Sequence, residues 1–253
     1  MNGPEPPAVE QASAPPTPEP PPEKYPFWTY QDVVLVGALA LPLLVLTFAL
    51  VGGLFWLFHW RPSQKALQVL PAQFIFYLLW FLFLYGWIKL RYGRPFWRSM
   101  AWVVPRQGLW SSSTWGILTA LAVIVLGALL RPPEIEMPLM ELLRDRVSIA
   151  LVGFFAVTFG PLCEELAFRG FLLPLFIRSL SAVPGILITA ILFASLHGPE
   201  YAWSWRHLLL ITLAGAAFGW MRHRSGSTAT ATVMHAAYNL TFFVGMAAQR
   251  VPQ

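Results

Sequence analysis

Long stretches without charged residues alternate with short polar segments along this chain. A helix needs about 20 apolar residues to cross the hydrocarbon core of a bilayer, and most of these stretches reach or approach that length. They cover seven parts of the sequence, at 33–58, 66–88, 107–130, 147–163, 179–196, 208–221 and 225–248. The pattern therefore predicts an all-α, polytopic transmembrane bundle of about seven (six to eight) membrane helices.

Three segments depart from a simple membrane span. The fourth stretch is followed by two glutamates, and its helix is predicted to continue past them to about Phe176. The sixth stretch, 208–221, is short for a crossing. Residues 131–146 mix both charges with Met137, Met140 and Leu143 near one helical face, which predicts an interfacial amphipathic helix.

Composition agrees with a membrane protein and excludes a nucleic-acid binder. Hydrophobic residues make up 57% of the 253 residues and charged residues only 11%, whereas a soluble domain carries about 25% charged residues. The net charge of +5 is spread over the loops. Because no run of Lys/Arg and no basic helix face is present, the chain lacks the pattern with which proteins bind nucleic acids.

The N-terminal segment differs from the rest of the chain. Its first 26 residues contain ten prolines and four glutamates, a composition that cannot bury enough apolar surface to fold. We therefore expect residues 1–26 to be a disordered tail and residues 27–250 to form the membrane domain.

Basic residues in the loops predict the orientation. The loop after the second stretch holds the densest group of basic side chains, which are Lys89, Arg91, Arg94, Arg98 and Arg106. Cytoplasmic loops carry an excess of Lys and Arg, so this loop and the N-terminus are expected in the cytoplasm. The short loops and the lack of a sorting signal favour a bacterial plasma membrane.

Ionisable residues inside the fourth helix are the first candidates for chemistry. Glu164, Glu165 and Arg169 lie in an apolar segment, where each charge is costly and marks a functional site by default. Glu165 and Arg169 are four residues apart, the favourable spacing and order for an ion pair. Glu164 then has no partner on its own helix. A carboxyl group near apolar walls is expected to have a raised pKa, which suits a general base.

Two further polar sites follow on later helices. His197 ends the fifth stretch just before Gly198-Pro199 and is expected to face a cavity within the membrane. His235 and Asn239 are four residues apart on the last helix and share one face.

Together these motifs resemble those of the CPBP family, which unites type II CAAX prenyl endopeptidases with bacteriocin-processing and self-immunity (Abi) proteins. The resemblance covers roughly residues 148–245 and rests on Glu-Glu-x-x-x-Arg, Phe-x-x-x-His and His-x-x-x-Asn. It implies an intramembrane endopeptidase acting on a membrane-tethered substrate that is prenylated or carries a leader. By resemblance, Glu164 and His197 activate the hydrolytic water and His235 and Asn239 stabilise the oxyanion. Three residues would shape the site, namely Glu165, Arg169 and Phe193.

Several alternatives stay open at this point. The Glu165–Arg169 pair could be purely structural, His197 could be a satisfied core histidine, and Asn239 could join two helices. The buried Glu/His set could instead serve a transporter as a proton relay, although the chain shows no inverted repeat. A non-catalytic membrane scaffold is a third reading, and the complete motif set argues against it.

Metal dependence is also open. Glu164, His197 and His235 could supply three ligands to a catalytic zinc with one open position. No His-Glu-x-x-His pair is present on one helix, and a glutamate–histidine pair can activate water alone. We therefore expect no cofactor, with a divalent metal such as zinc as the alternative.

Overall fold

The structure, a computed structural model, describes residues 24–104, 108–135, 138–143 and 145–248. The secondary structure of that part is helical, with no strand. The helices of the N-terminal half are α1 (Tyr30–Ala38), α2 (Ala40–Leu57), α3 (Lys65–Tyr92), α4 (Phe96–Ser99), α5 (Gly108–Leu130) and α6 (Pro138–Leu142).

The remaining elements lie in the C-terminal half of the chain. Its elements are α7 (Arg146–Val157), α8 (Phe159–Glu165), a π-helical segment (Leu166–Leu172), α9 (Leu173–Leu180), α10 (Ala182–Leu196), α11 (Trp205–Ser225) and α12 (Thr228–Ala248). Helix α12 packs against α5, α7, α8 and α11, and α10 packs against α9 and α11. The fourth helix of the sequence prediction is therefore a chain of four segments.

The architecture confirms the predicted helical membrane bundle. Four helical stretches are long and apolar enough to cross a membrane, namely Tyr30–Leu57, Lys65–Tyr92, Gly108–Leu130 and Arg146–Leu180. Helix Ala182–Leu196 is a shorter apolar helix. Many leucine, valine and phenylalanine side chains point outward and are exposed, which is the arrangement that lipid tolerates and water does not. The protein is an integral membrane protein.

Two predicted boundaries need correction. The sixth helix is not short, because α11 extends over 21 residues. The predicted amphipathic helix over 131–146 is only the five-residue α6, since Arg131 has a positive φ of 48° and residues 131–135 are not helical. Leu143 is buried against Val152, with Met140 beside it. Met137 lies outside the described residues.

The N-terminal segment joins the bundle earlier than expected. Residues 1–23 lie outside the described part of the chain, but Tyr25 donates a hydrogen bond to the Ser99 carbonyl at 3.1 Å. Trp28 is fully buried, and its indole N–H donates to the Phe171 carbonyl in the π-helical segment at 2.9 Å. This contact ties the start of the membrane domain to the segment that follows the two glutamates.

Candidate active site

The two glutamates lie between two irregularities of the fourth span. Thr158 separates α7 from α8 with φ −120° and ψ −78°. Pro161 follows closely, and a proline cannot donate the backbone hydrogen bond that would continue the helix. Directly after Glu165 the helix widens into the π-helical segment. Such π-bulges occur frequently at functional sites.

Glu165 is the centre of a fully buried charge network. Its Oε1 accepts a hydrogen bond from Arg169 Nη1 at 2.8 Å and lies 2.9 Å from His235 Nδ1. Arg169 Nη2 donates to the Gly215 carbonyl of α11 at 2.8 Å. Glu165 and Arg169 are both 0% exposed. The predicted ion pair is therefore present, and it also holds His235.

The contact with Glu165 fixes the role of each His235 ring nitrogen. An ionised carboxylate only accepts hydrogen bonds, so Nδ1 must carry the proton it donates. The other nitrogen, Nε2, then faces Glu164, whose Oε2 is 3.8 Å away. His235 thus connects the two neighbouring glutamates.

Glu164 has a partner that comes from another helix. Tyr77 of α3 donates a hydrogen bond to Glu164 Oε1 at 3.0 Å, and the Tyr77 ring stacks on Phe155. The Glu164 side chain is 24% exposed, whereas that of Glu165 is fully buried. Glu164 is consequently the accessible carboxylate of the pair.

Aromatic rings enclose the buried charges. Phe193 lies 4.7 Å from the Arg169 guanidinium carbon and 5.8 Å from the His235 ring. Phe218 stacks on His235 at 4.6 Å and also faces Arg169. The negative faces of these rings attract the guanidinium, so Phe193 packs against both Arg169 and His235.

His197 packs against Phe193, on the edge of the buried charge network. Its ring centre is 4.8 Å from that of Phe193, and its Nδ1 lies 3.0 Å from the Phe193 carbonyl. Its Nε2 makes no hydrogen bond or ion pair within the described residues. Consequently, His197 is next to the charge network without being bonded to it.

Asn239 lies on the same α12 face as His235 and is bonded to the break in the fourth span. Its amide Nδ2 donates to the Ala156 carbonyl at the end of α7, at 2.8 Å. This bond uses one of the two amide N–H groups. Asn239 therefore joins α12 to α7, which was one of the open interpretations. The second N–H of its amide remains as a hydrogen-bond donor.

Sequence reasoning missed Phe218 and two polar residues of this region, Tyr77 and Glu200. Tyr77 stands among apolar residues, and nothing in its spacing indicates that it reaches Glu164. Glu200 follows the helix break after His197. Burial raises the pKa of Glu200 above its usual value, the charge of His197 opposes this rise, and the negative charge of Glu164 adds to it. The signal for Glu200 was a lone carboxylate three residues after the motif histidine.

The donor set does not form a ready metal site. Within the part of the chain that the structure describes, no three His, Cys, Asp or Glu side chains are grouped as metal ligands. His235 Nδ1 is bonded to Glu165, and His197 makes no bond to Glu164. The three-ligand set Glu164, His197 and His235 would need its side chains to move together.

Comparison with known proteins identifies the region that contains the site. Residues 146–241 match the family described as type II CAAX prenyl endopeptidase Rce1-like. No curated protein and no solved structure matches the chain. The matched region includes both glutamates, Arg169, both motif histidines and Asn239. Over residues 146–241, the chain is therefore similar to the type II CAAX prenyl endopeptidases, and this similarity supports the resemblance to the CPBP family that its motifs carry.

Proposed function

We propose that this protease is an intramembrane endopeptidase in which Glu164 is the general base. One observation carries the assignment: of two adjacent carboxylates, Glu164 is partly exposed and Glu165 is fully buried. A base must be able to reach a water molecule. Glu165 cannot, because its side chain is fully buried and its Oε1 is already bonded to Arg169 and His235.

The gap between Glu164 and His235 suits a bound water. Their nearest polar atoms are 3.8 Å apart, which is too long for a direct hydrogen bond and is a separation that one water can bridge. Glu164 takes a proton from this water, and the hydroxide attacks the carbonyl carbon of the peptide. Glu164 then returns the proton to the leaving amine as the C–N bond breaks.

His235 is suited to stabilise the oxyanion of the tetrahedral intermediate. This role requires the form of His235 in which both ring nitrogens carry a proton. Its Nε2–H is then a donor directed into the site. The bond to Glu165 holds the ring in this orientation.

Asn239 supplies the second proposed donor. Its bond to Ala156 orients the amide, and the remaining N–H is free to contact the oxyanion. His197 contributes its unbonded Nε2 to water activation beside Glu164, and the half-buried Glu200 adds a carboxyl group near both.

A membrane-tethered chain is the proposed substrate, either prenylated or carrying a leader. The active residues lie on helices of a lipid-facing bundle, so a substrate held in the bilayer meets them without leaving it. The bacterial plasma membrane with a cytoplasmic N-terminus remains the proposed location. No step requires a metal, so hydrolysis is expected to survive treatment with 1,10-phenanthroline.

Reconstituted proteoliposomes test the proposal. A lipid-anchored peptide library is incubated with the wild type and with Glu164→Gln, and the products are identified by mass spectrometry. The proposal predicts new peptide termini with the wild type only. A proton-flux assay on the same vesicles addresses the transporter alternative; flux without cleavage would overturn the protease assignment.

A further inference from the structure

A second buried arginine lies away from the active site, in a cavity of about 220 Å³. The cavity is lined by Tyr25, Leu173, Pro174, Ile177, Arg178, Arg222 and His223. It lies where the N-terminal segment, α9 and the C-terminal end of α11 meet. From Thr228 to His235 there are seven residues, or about 10 Å of helix, so the cavity is separate from the catalytic group.

Arg222 is buried without an opposite charge. It is only 8% exposed, and its partners are two neutral hydroxyls, Thr228 Oγ1 at 2.9 Å and Tyr25 Oη at 3.3 Å. Among the described residues no carboxylate forms an ion pair with Arg222. By contrast, Arg169 is paired with Glu165. A buried charge without a partner is unfavourable, so an anion at this cavity is expected to stabilise the fold.

A second guanidinium faces the same cavity. Arg178 donates to the carbonyls of Pro26 and Trp28, which holds its side chain beside the N-terminal segment. His223 is exposed at the rim. A guanidinium has five N–H groups, and the bonds described above use two of them in Arg178 and two in Arg222. The remaining N–H groups are suited to a phosphate, which accepts hydrogen bonds from a planar guanidinium.

Apolar side chains of α9 form part of the cavity wall. Leu173 and Pro174 are buried and Ile177 is half-buried, and all three lie on the helix that also carries Arg178. A free phosphate has no apolar surface to bury against these side chains, whereas a phospholipid carries its phosphate next to a glycerol and acyl chains. Arg178 and Arg222 lie in the last turns of α9 and α11, and basic pockets between membrane helices bind anionic lipid headgroups.

We propose that this cavity binds the phosphate of an anionic phospholipid headgroup, held by Arg178 and Arg222. The lipid supplies the counter-charge that Arg222 lacks and ties the N-terminal segment to α9 and α11. The proposal does not depend on the proposed catalytic roles.

Thermal melting of the full chain in neutral detergent tests the lipid site. Short-chain phosphatidylglycerol is titrated beside phosphatidylcholine of equal chain length and beside inorganic phosphate. We expect the anionic lipid alone to raise Tm in a saturable way. An equal rise with phosphatidylcholine, or an equal rise with inorganic phosphate at the same concentration, would overturn the proposal.

Matched variants locate the effect. Arg178→Gln is expected to weaken the apparent affinity for phosphatidylglycerol about tenfold, the effect of losing one charge-assisted contact. Arg224→Gln is the control. It removes an equal charge from an exposed side chain in the last turn of α11, beside Arg222, that does not line the cavity, and it should leave the affinity unchanged. An equal loss of affinity in both variants would mean that the positive surface attracts the lipid without a specific site. If Arg178→Gln does not fold, the comparison of the three ligands on the wild-type protein decides whether the site binds an anionic lipid.

The chain itself offers a rival occupant. Glu23 precedes Tyr25 by two residues, and its carboxylate could supply the missing charge. In that case phosphatidylglycerol would raise the Tm of Glu23→Gln but not that of the wild type, and this result would contradict a lipid site. A response of similar size in both proteins supports it.

Discussion

Glu164 and Glu165 are adjacent in the chain, and their carboxylates occupy opposite environments. Glu165 is fully buried and shared between Arg169 and His235, so its charge is balanced inside the protein. Glu164 is 24% exposed and bonded to the neutral Tyr77. Two consecutive residues of one membrane helix thus differ in exposure and in partners, and in the proposed mechanism the buried carboxylate orients the site while the exposed one contacts water. This difference suggests experiments that separate the two roles.

The largest expected effect comes from breaking the buried pair. Arg169→Gln leaves the Glu165 carboxylate without its guanidinium, and breaking such a pair costs about 3–5 kcal/mol. Denaturation in detergent should show this loss, and the double variant Glu165→Gln/Arg169→Gln should recover part of it. Lys65→Gln is the control, because it removes an exposed ion pair with Glu141 and should cost about 1 kcal/mol or less. Equal losses in the two single variants would show that the buried pair has no special role.

Asn239 tests the proposed oxyanion site next. Removing one oxyanion donor lowers the rate by a factor of about 10²–10³, so Asn239→Ala should reduce kcat strongly and change KM much less. Thr241→Ala is the matched control on α12, because its hydroxyl bonds only to the Ala237 carbonyl of its own helix. If kcat were unchanged and KM raised, Asn239 would belong to substrate docking. If only stability fell, its bond to Ala156 would be its whole role.

The placement of His235 depends on close packing between α5 and α12. A Cβ added at Gly116 would lie 2.2 Å from the Met234 carbonyl oxygen, so Gly116→Ala must push α12 away. Overpacking of this kind costs about 1–3 kcal/mol, and cleavage should slow because the next residue is His235. Gly53→Ala, which meets no atom within 4 Å, should be neutral or slightly stabilising in a melt. Normal activity and stability of Gly116→Ala would contradict the close approach.

Tyr77 gives the smallest effect. Tyr77→Phe removes the hydrogen bond to Glu164 and keeps the ring that stacks on Phe155. We expect kcat to fall about tenfold, near the lower range for a hydrogen bond to a charged group. Tyr85→Phe is the control on α3, since no hydrogen bond of its hydroxyl is found among the described residues. Identical kinetics of the two variants would remove Tyr77 from the site.

The sequence was sufficient for part of this picture. Uncharged runs gave the helices because a bilayer requires long apolar segments, and four-residue spacing gave the Glu165–Arg169 pair because both groups lie on one helix face. Contacts between helices could not be predicted from the sequence. The bonds from His235 to Glu165 and from Tyr77 to Glu164 do not follow from spacing, because each joins residues at least 70 positions apart. The short α6 was also missed, because amphipathic spacing does not reveal the positive φ at Arg131.

The most direct test compares Glu164→Gln with Glu165→Gln, using a thermal melt in detergent and a cleavage rate for each purified variant. The account predicts that Glu164→Gln melts like the wild type, because a neutral amide is cheaper to bury than a carboxylate, and that its cleavage rate falls by about 10²–10⁴, the usual contribution of a general base. Glu165→Gln should melt earlier, since Arg169 loses its counter-charge. Near-wild-type turnover of Glu164→Gln together with a stable but inactive Glu165→Gln would contradict the account and reverse the two roles.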